Sequence, residues 1–240
     1  MQFIDTHIHL QDVKSNNATK IISHAVAEGC TQMICVSSIE NDWEKVEILT
    51  HQFPQTIIPA FALHPWYVVE ASHNWSFQLE EKLQKYPHAL IGECGLDGFK
   101  ENIELQKKVF AEHIKLAKKY HRPLIIHAVK AVPMLEEFWN SLPEKFVFHG
   151  FNGKKELLEK ILSAGGYIGI GSGLLKTPKA QEILPLIQKN RLLFESDAPF
   201  LAPYPWTIKE QIAQIAQLRD ENEAELVDQV YQNSQEFIKC

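Results

Sequence analysis

Two histidines two positions apart, His7 and His9, stand near the end of the apolar run Phe3–Leu10. On a strand, side chains two apart share a face, so both imidazoles reach one point at the strand's carboxyl end. Neutral imidazole is a common ligand of divalent metals, and two converging rings make half a site. Asp5 has the same parity and is expected beneath the two rings as a supporting carboxylate. His-x-His alone also fits a surface strand that carries two histidines and nothing more. What separates the readings is whether acids or histidines recur at the ends of later strand-like runs.

The elements that would position such groups are legible along the whole chain. Strand-like runs are expected at Phe3–His7, Met33–Ser37, Thr56–Leu63, Ala89–Cys94, Pro123–His127, Phe146–His149, Tyr167–Ile170 and Arg191–Glu195. Between and after them, helical patterns cover Asn17–Glu28, Asn41–His51 (capped by Asn41 or Asp42), Asn74–Tyr86, Asn102–Tyr120, Pro133–Asn140, Lys154–Ala164, Pro178–Gln188, Thr207–Leu218 and Glu221–Ile238. Alternation of this kind argues for a parallel sheet, and eight units in 240 residues argue for a (β/α)8 TIM barrel, an α/β fold, as a single domain over residues 1–240. An open doubly wound sheet would carry a glycine fingerprint after its first strand, where this chain has Asp-Thr-His-Ile-His.

In such a barrel the chemistry sits at the carboxyl ends of the strands. Reading those ends in order gives His7 and His9, His64, Glu93, His127, His149 and Asp197. Each has a plainer reading: His127 as a core histidine, His149 as the start of a turn, Asp197 as a loop cap ahead of Pro199. Glu93 follows Leu90-Ile91-Gly92, where an unpaired carboxylate is costly to bury. In barrel order the six residues other than His64 form a donor set typical of a two-metal hydrolytic centre. His24, His51, His73, His88, His113 and His121 fall on helices or loops and are expected to be solvated.

Composition restricts the rest. A net charge of −6 argues against a broad basic face for duplex nucleic acid and leaves room for a small phosphate pocket. The four cysteines form no C-x-x-C pair or framework, so reduced thiols are expected. No apolar run approaches the roughly 18–20 residues that span a bilayer, and the chain opens on a strand rather than on a leader pattern. The expectation is a cytoplasmic protein with no membrane association and no obligate protein partner.

The motifs Asp5-Thr6-His7-Ile8-His9-Leu10, Leu63-His64-Pro65, Ile91-Gly92-Glu93-Cys94-Gly95-Leu96-Asp97, Arg122-Pro123-Leu124-Ile125-Ile126-His127, His149-Gly150-Phe151-Asn152-Gly153 and Glu195-Ser196-Asp197-Ala198-Pro199 run through residues 5 to 199. Together they resemble the TatD family of metal-dependent hydrolases and deoxyribonucleases, within the amidohydrolase-type barrels. The resemblance implies two divalent cations (Zn, Mn, Mg or Ni), one held by His7, His9, Glu93 and Asp197, the other by Glu93, His127 and His149. It implies a water between them as nucleophile and Asp197 as its proton acceptor, so that Asp197 and Glu93 are the catalytic carboxylates. His64 would contact substrate or leaving group, and Asp97 would order the loop after strand four. The implied activity is 3'-5' exonuclease-like hydrolysis of single-stranded DNA. The alternatives are a deacylase-like hydrolase of a small ester or amide, and a metal-binding barrel without activity.

The chain departs from the family pattern at one instructive place. Relatives usually carry arginine two residues after the strand-five histidine; here Val129 stands there, followed by Lys130. Arginine is the preferred planar clamp for phosphate, so phosphate recognition would fall to lysines, Lys100 and Lys130 first and then Lys176. On regular strand alternation Val129 and Lys130 point opposite ways.

Overall fold

The computed structural model describes residues 1–13 and 17–240. Eight parallel strands lie side by side in chain order: β1 Phe3–Ile8, β2 Cys30–Val36, β3 Ile57–Phe61, β4 Leu90–Asp97, β5 Leu124–Val129, β6 Phe146–Phe148, β7 Tyr167–Ile170 and β8 Leu192–Phe194. The crossovers hold α1 Ala18–Ala27, α2 Glu40–Gln52, α3 Trp75–Lys85, α4 Ile103–Tyr120, α5 Lys155–Ser163, the short α6 Ser172–Leu175 and α7 Lys179–Ile183, then α8 Ile208–Arg219 and α9 Glu223–Ile238. This is the (β/α)8 barrel. The short helix expected over 133–140 is instead two 3-10 segments, Val132–Glu137 and Trp139–Ser141, and that over 178–188 gives way to 3-10 geometry from Leu184. Pro185 accounts for the second break, because it lacks an N–H for a continuing α-helix.

Strand alternation divides the apolar residues into two layers. Ile34 and Val36, Ala60, Leu90, Ile125, Val147, Tyr167 and Leu193 pack together with Phe237 from the end of α9, whereas Met33, Cys35, Phe61, Ile91 and Ile126 pack in the larger core that includes residues of the surrounding helices. Both layers are apolar, which is why the strands read as nearly continuous hydrophobic runs. Going two residues further along β3, β5, β6 and β8 from the first layer leads to the chemical groups: Ala60 to Ala62 and His64, Ile125 to His127, Val147 to His149, Leu193 to Glu195 and Asp197.

The barrel closes between β1 and β8 with few ladder bonds. His9 N–H donates to the Ala198 carbonyl at 2.8 Å and Asp197 N–H to that of His7 at 2.9 Å. The buried Asp5 carboxylate accepts from Ser196 N–H at 3.0 Å and from Ser196 Oγ at 2.5 Å. Asp5 therefore does not support the imidazoles of β1 as its parity suggests. The register of β1 against β2 slips between Asp5 and Ile8, and the carboxylate is spent on stitching the seam.

One expected surface histidine is in the core. His113 is fully buried in α4, and its Nε2 accepts from Leu63 N–H at 3.1 Å, one residue before His64. Burial pushes its imidazole down to about 3. A depressed histidine stabilises the fold fully only above its unfolded value near 6.5, and loses that contribution as pH falls toward 3, because only the unfolded chain takes up the proton. Between pH 6.5 and 5 this group should cost the metal-free protein roughly 1.5–2 kcal/mol. Urea melts of wild type and His113→Gln, which keeps an acceptor but does not titrate, should diverge in pH dependence by that amount; parallel curves would remove His113 from the acid response.

Candidate metal centre

The carboxyl ends of the strands bring His7, His9, His64, Glu93, His127, His149 and Asp197 into one cluster. Glu93 is its centre and turns its two oxygens to different neighbours. Oε2 lies 3.2 Å from His7 Nε2 and 3.5 Å from His9 Nε2. Oε1 lies 2.7 Å from His127 Nδ1, 2.7 Å from His149 Nε2 and 3.3 Å from His64 Nε2. Asp197 Oδ1 completes the first side, 3.5 Å from His9 Nε2 and 3.9 Å from His7 Nε2. Three groups have ligand atoms all within 4.8 Å of one another: His7, His9 and Asp197; His7, Glu93 and His149; His64, Glu93 and His127.

Two backbone irregularities make this convergence. The register of β4 against β5 slips between Ile91 and Cys94, so Glu93 joins the cluster although it follows directly on Gly92. Beyond it, Gly95 has φ of 142°, and a Cβ there would run into the His127 carbonyl. Only glycine meets both demands. Asp197 itself takes a left-handed φ of 50°, a region that Asp and Asn tolerate better than most residues.

The outer nitrogens of two imidazoles face further carboxylates. His127 Nε2 lies 3.2 Å from Asp97 Oδ2, and the other Asp97 oxygen accepts from Phe99 N–H at 2.8 Å. Asp97 thus orders the loop after β4 and also fixes a ring. His149 Nδ1 lies 3.7 Å from Glu195 Oε1, too far for a hydrogen bond, and that oxygen accepts from Gly150 N–H. The sequence reading placed Glu195 at the end of the eighth strand run and gave it no role of its own. Its parity with Leu193 and Asp197 was the available signal, together with glycine at 169, where a Cβ would collide with its carboxylate. A carboxylate behind an imidazole orients the ring and raises the basicity of the nitrogen in front.

The electrostatics call for added positive charge. Burial raises the Glu93 carboxyl, but His149, His64 and His7 override it and hold the group well below the usual carboxylate range. Burial pushes Asp197 up to about 6 against the pull of His149 and His9. Burial lowers His149, yet Glu93 and Glu195 leave it well above an ordinary histidine. Gln11 donates to His9 Nδ1 at 3.3 Å, which leaves the ring hydrogen on His9 Nε2, 3.1 Å from His7 Nε2. With Nε2 of His127 donating to Asp97, its Nδ1 lone pair faces a carboxylate oxygen at 2.7 Å. Acceptor atoms aimed at one another in a buried space are what a cation would separate. The mixed nitrogen and oxygen donors suit Zn, Mn or Ni better than an all-oxygen Ca or Mg cage.

His64 is set apart from the others. Its Nδ1 accepts from Trp66 N–H at 3.2 Å, so a neutral ring carries its hydrogen on Nε2, which points toward Glu93. It lines a cavity of about 390 Å³ with His9, His127, His149, Asp197, Trp66 and Phe200, walled on one side by Asp12 and Asp42. Lys100 lies over Trp66, Nζ 4.4 Å from the ring centroid. Lys130 lines a neighbouring cavity instead, and Lys176 a third one further off. The regular strand geometry on which Val129 and Lys130 were expected to point opposite ways stops short of Lys130: β5 ends at Val129, Lys130 adopts a left-handed φ of 51°, and both residues line the same cavity. No arginine lines the metal cleft among the described residues.

The family model of the TatD related DNases matches residues 4–239. The chain is 30% identical over 208 residues to the metal-dependent hydrolase YjjV of Escherichia coli K12, spanning 82% of this chain and 80% of that one. It is 28% identical over 246 residues to the 3'-5' ssDNA/RNA exonuclease TatD of Pantoea ananatis, spanning 93% and 94%. The crystal structure of YjjV superposes with a TM-score of 0.91 at 26% identity, over 98% of this chain and 97% of that one.

Proposed function

From the premise that this chain belongs to the TatD family of metal-dependent hydrolases, we propose that it cleaves phosphodiester bonds of single-stranded nucleic acid from the 3' end. Two divalent cations would be held by His7, His9, Glu93 and Asp197 on one side and Glu93, His127 and His149 on the other. The observation that carries this reading is the division of Glu93, one oxygen toward the β1 histidines and the other toward those of β5 and β6. When bound, the cations supply Lewis acidity and lower the pKa of water.

The chain's own residues supply the rest. Asp197, at the cleft wall beside His9, would take the proton of the attacking water. His64, with its hydrogen on Nε2, would give a hydrogen bond to the departing oxygen. Asp97 and Glu195 would hold His127 and His149 in place. Phe200 stands edge-on to His9, ring centroids 5.0 Å apart, and together with Trp66 it would cover a terminal base and keep bulk water from the reacting bond. Residues 1–240 would act as one catalytic domain. The four cysteines are unpaired, with Cys30, Cys35 and Cys94 buried, which supports a reducing, cytoplasmic setting; no helix among the described residues is long and apolar enough to cross a membrane.

The same centre would also suit an ester or amide, and the lack of arginine in the cleft favours that second reading. Metal-loaded protein should release mononucleotides from the 3' end of single-stranded DNA, and a chelator should abolish this. Turnover of a small ester or amide with intact DNA would transfer the assignment to the second reading.

A further inference from the structure

We propose that the cavity beside the metal cleft is a phosphate-binding channel for the strand of a single-stranded polynucleotide whose terminal nucleotide lies over the metals. The inference rests on the nuclease reading above and adds the path of the substrate. The cavity, about 690 Å³, shares His149 and Leu201 with the metal cleft as a common wall. Lys130, Lys154 and Lys179 line it, with Glu156 as the only carboxylate among the described residues around it. Among the described residues none of the three lysines has a carboxylate within ion-pair distance, whereas Lys160 pairs with Glu136 and Lys155 with Glu159.

The lysines are placed by the backbone. Lys130, with its left-handed φ, lines the cavity beside Val129, its Nζ lies 6.0 Å from the Phe99 ring centroid, and glycine at 98 makes room for its carbonyl. Lys179 Nζ donates to the Asn152 carbonyl at 2.9 Å and to its Oδ1 at 3.2 Å, which holds the loop after β6 against α7. Phe151 and Val132 add apolar wall, so bases have a surface while phosphates meet ammonium groups, the usual division of labour in single-strand grooves. Asp12 and Asp42, which also line the metal cleft, follow β1 and β2, across the barrel order from the segments after β5 and β6 that carry Lys130 and Lys154, and would repel a continuing phosphate chain. The strand is therefore led one way only, past His149 toward the lysines. This explains how phosphate is held in a chain with valine at 129: the charge sits on the segments after β5 and β6 and at the start of α7.

The test compares wild type, Lys130→Gln/Lys154→Gln, the triple variant with Lys179→Gln added, and a control triple at the remote Lys20, Lys108 and Lys118. Anisotropy of a labelled phosphorothioate decathymidylate is followed across salt concentrations in the metal-loaded protein. KM is measured for unmodified decathymidylate and for bis(p-nitrophenyl) phosphate, which is too short to leave the metal cleft. Each phosphate contact on a single strand contributes about 0.7 to the logarithmic salt slope, so the triple variant should lose about 2 from the slope. Its affinity for the decamer should fall about tenfold at low salt, the double variant should fall between, and KM for the small diester should move less than about twofold. Equal decamer binding by wild type and triple variant, or an equal loss in the control, overturns the channel while diester turnover leaves the nuclease reading standing. Failure of wild type to hydrolyse either phosphodiester overturns that reading and the channel with it.

Discussion

Glu93→Gln is expected to lower kcat by about a thousandfold or more and to strip bound metal from the protein. The carboxylate is the only group in the cluster that meets five imidazole nitrogens, at 2.7 to 3.5 Å across its two oxygens. Glutamine keeps the volume and one acceptor, but removes the charge and points an NH2 at nitrogens that need a cation. Losing one preorganised electrostatic contact in an active site costs about 10²–10³ in rate, and here contacts to both proposed ions go together. Elemental analysis of the purified variant beside steady-state kinetics decides it. Near-normal turnover with two ions retained would end the assignment of Glu93 as the shared ligand.

Asp197→Asn is expected to cost about 10²–10⁴ in kcat, the usual range for losing a positioned proton acceptor, with a smaller loss of metal because His7, His9 and Glu93 remain. Asparagine is the informative replacement. It tolerates the left-handed backbone that Asp197 adopts and preserves the bonds from Asp197 N–H to His7 and from Phe200 N–H to the Asp197 carbonyl. Alanine would disturb that turn and confuse folding with chemistry. A circular dichroism melt unchanged within a few degrees, set beside kcat and metal content, separates the two. A variant that folds, holds metal and turns over normally would move the proton to another acceptor.

The barrel was legible because each strand announces itself twice, by an apolar run and by a polar residue at its end. His127, His149 and Asp197 follow from counting by two from Ile125, Val147 and Leu193. Glu93 shows where that counting stops. From Leu90 its parity would send it to the outer layer with Ile91, and only the register slip between Ile91 and Cys94 brings it inward; its place at the strand end and the cost of burying it unpaired pointed to it, and alternation would have missed it. The same kind of slip misled the reading of Asp5. Alternation could not be carried from Val129 to Lys130 because the strand ends between them and Lys130 takes a left-handed backbone. His113 looked like a surface histidine because helix periodicity says nothing about which strand end a ring will meet; its bond to Leu63 crosses 50 positions.

The seam between β1 and β8 has a bearing on the order of events during synthesis. His7 and His9 leave the ribosome early, whereas Asp197 and the Ser196 that grips Asp5 follow some 190 residues later, the hydrogen bond from Ser196 to Asp5 spanning 191 positions. Until that late segment docks, the β1 histidines have no acid from β8 beside them, and the barrel has an open edge. A nascent chain can therefore offer scattered imidazoles to passing ions but not the His7, His9 and Asp197 group. Contacts of such long range form slowly, so metal capture at this group belongs to the last stage of maturation. A fragment lacking the eighth strand would carry most of the donors and still have nowhere to assemble them.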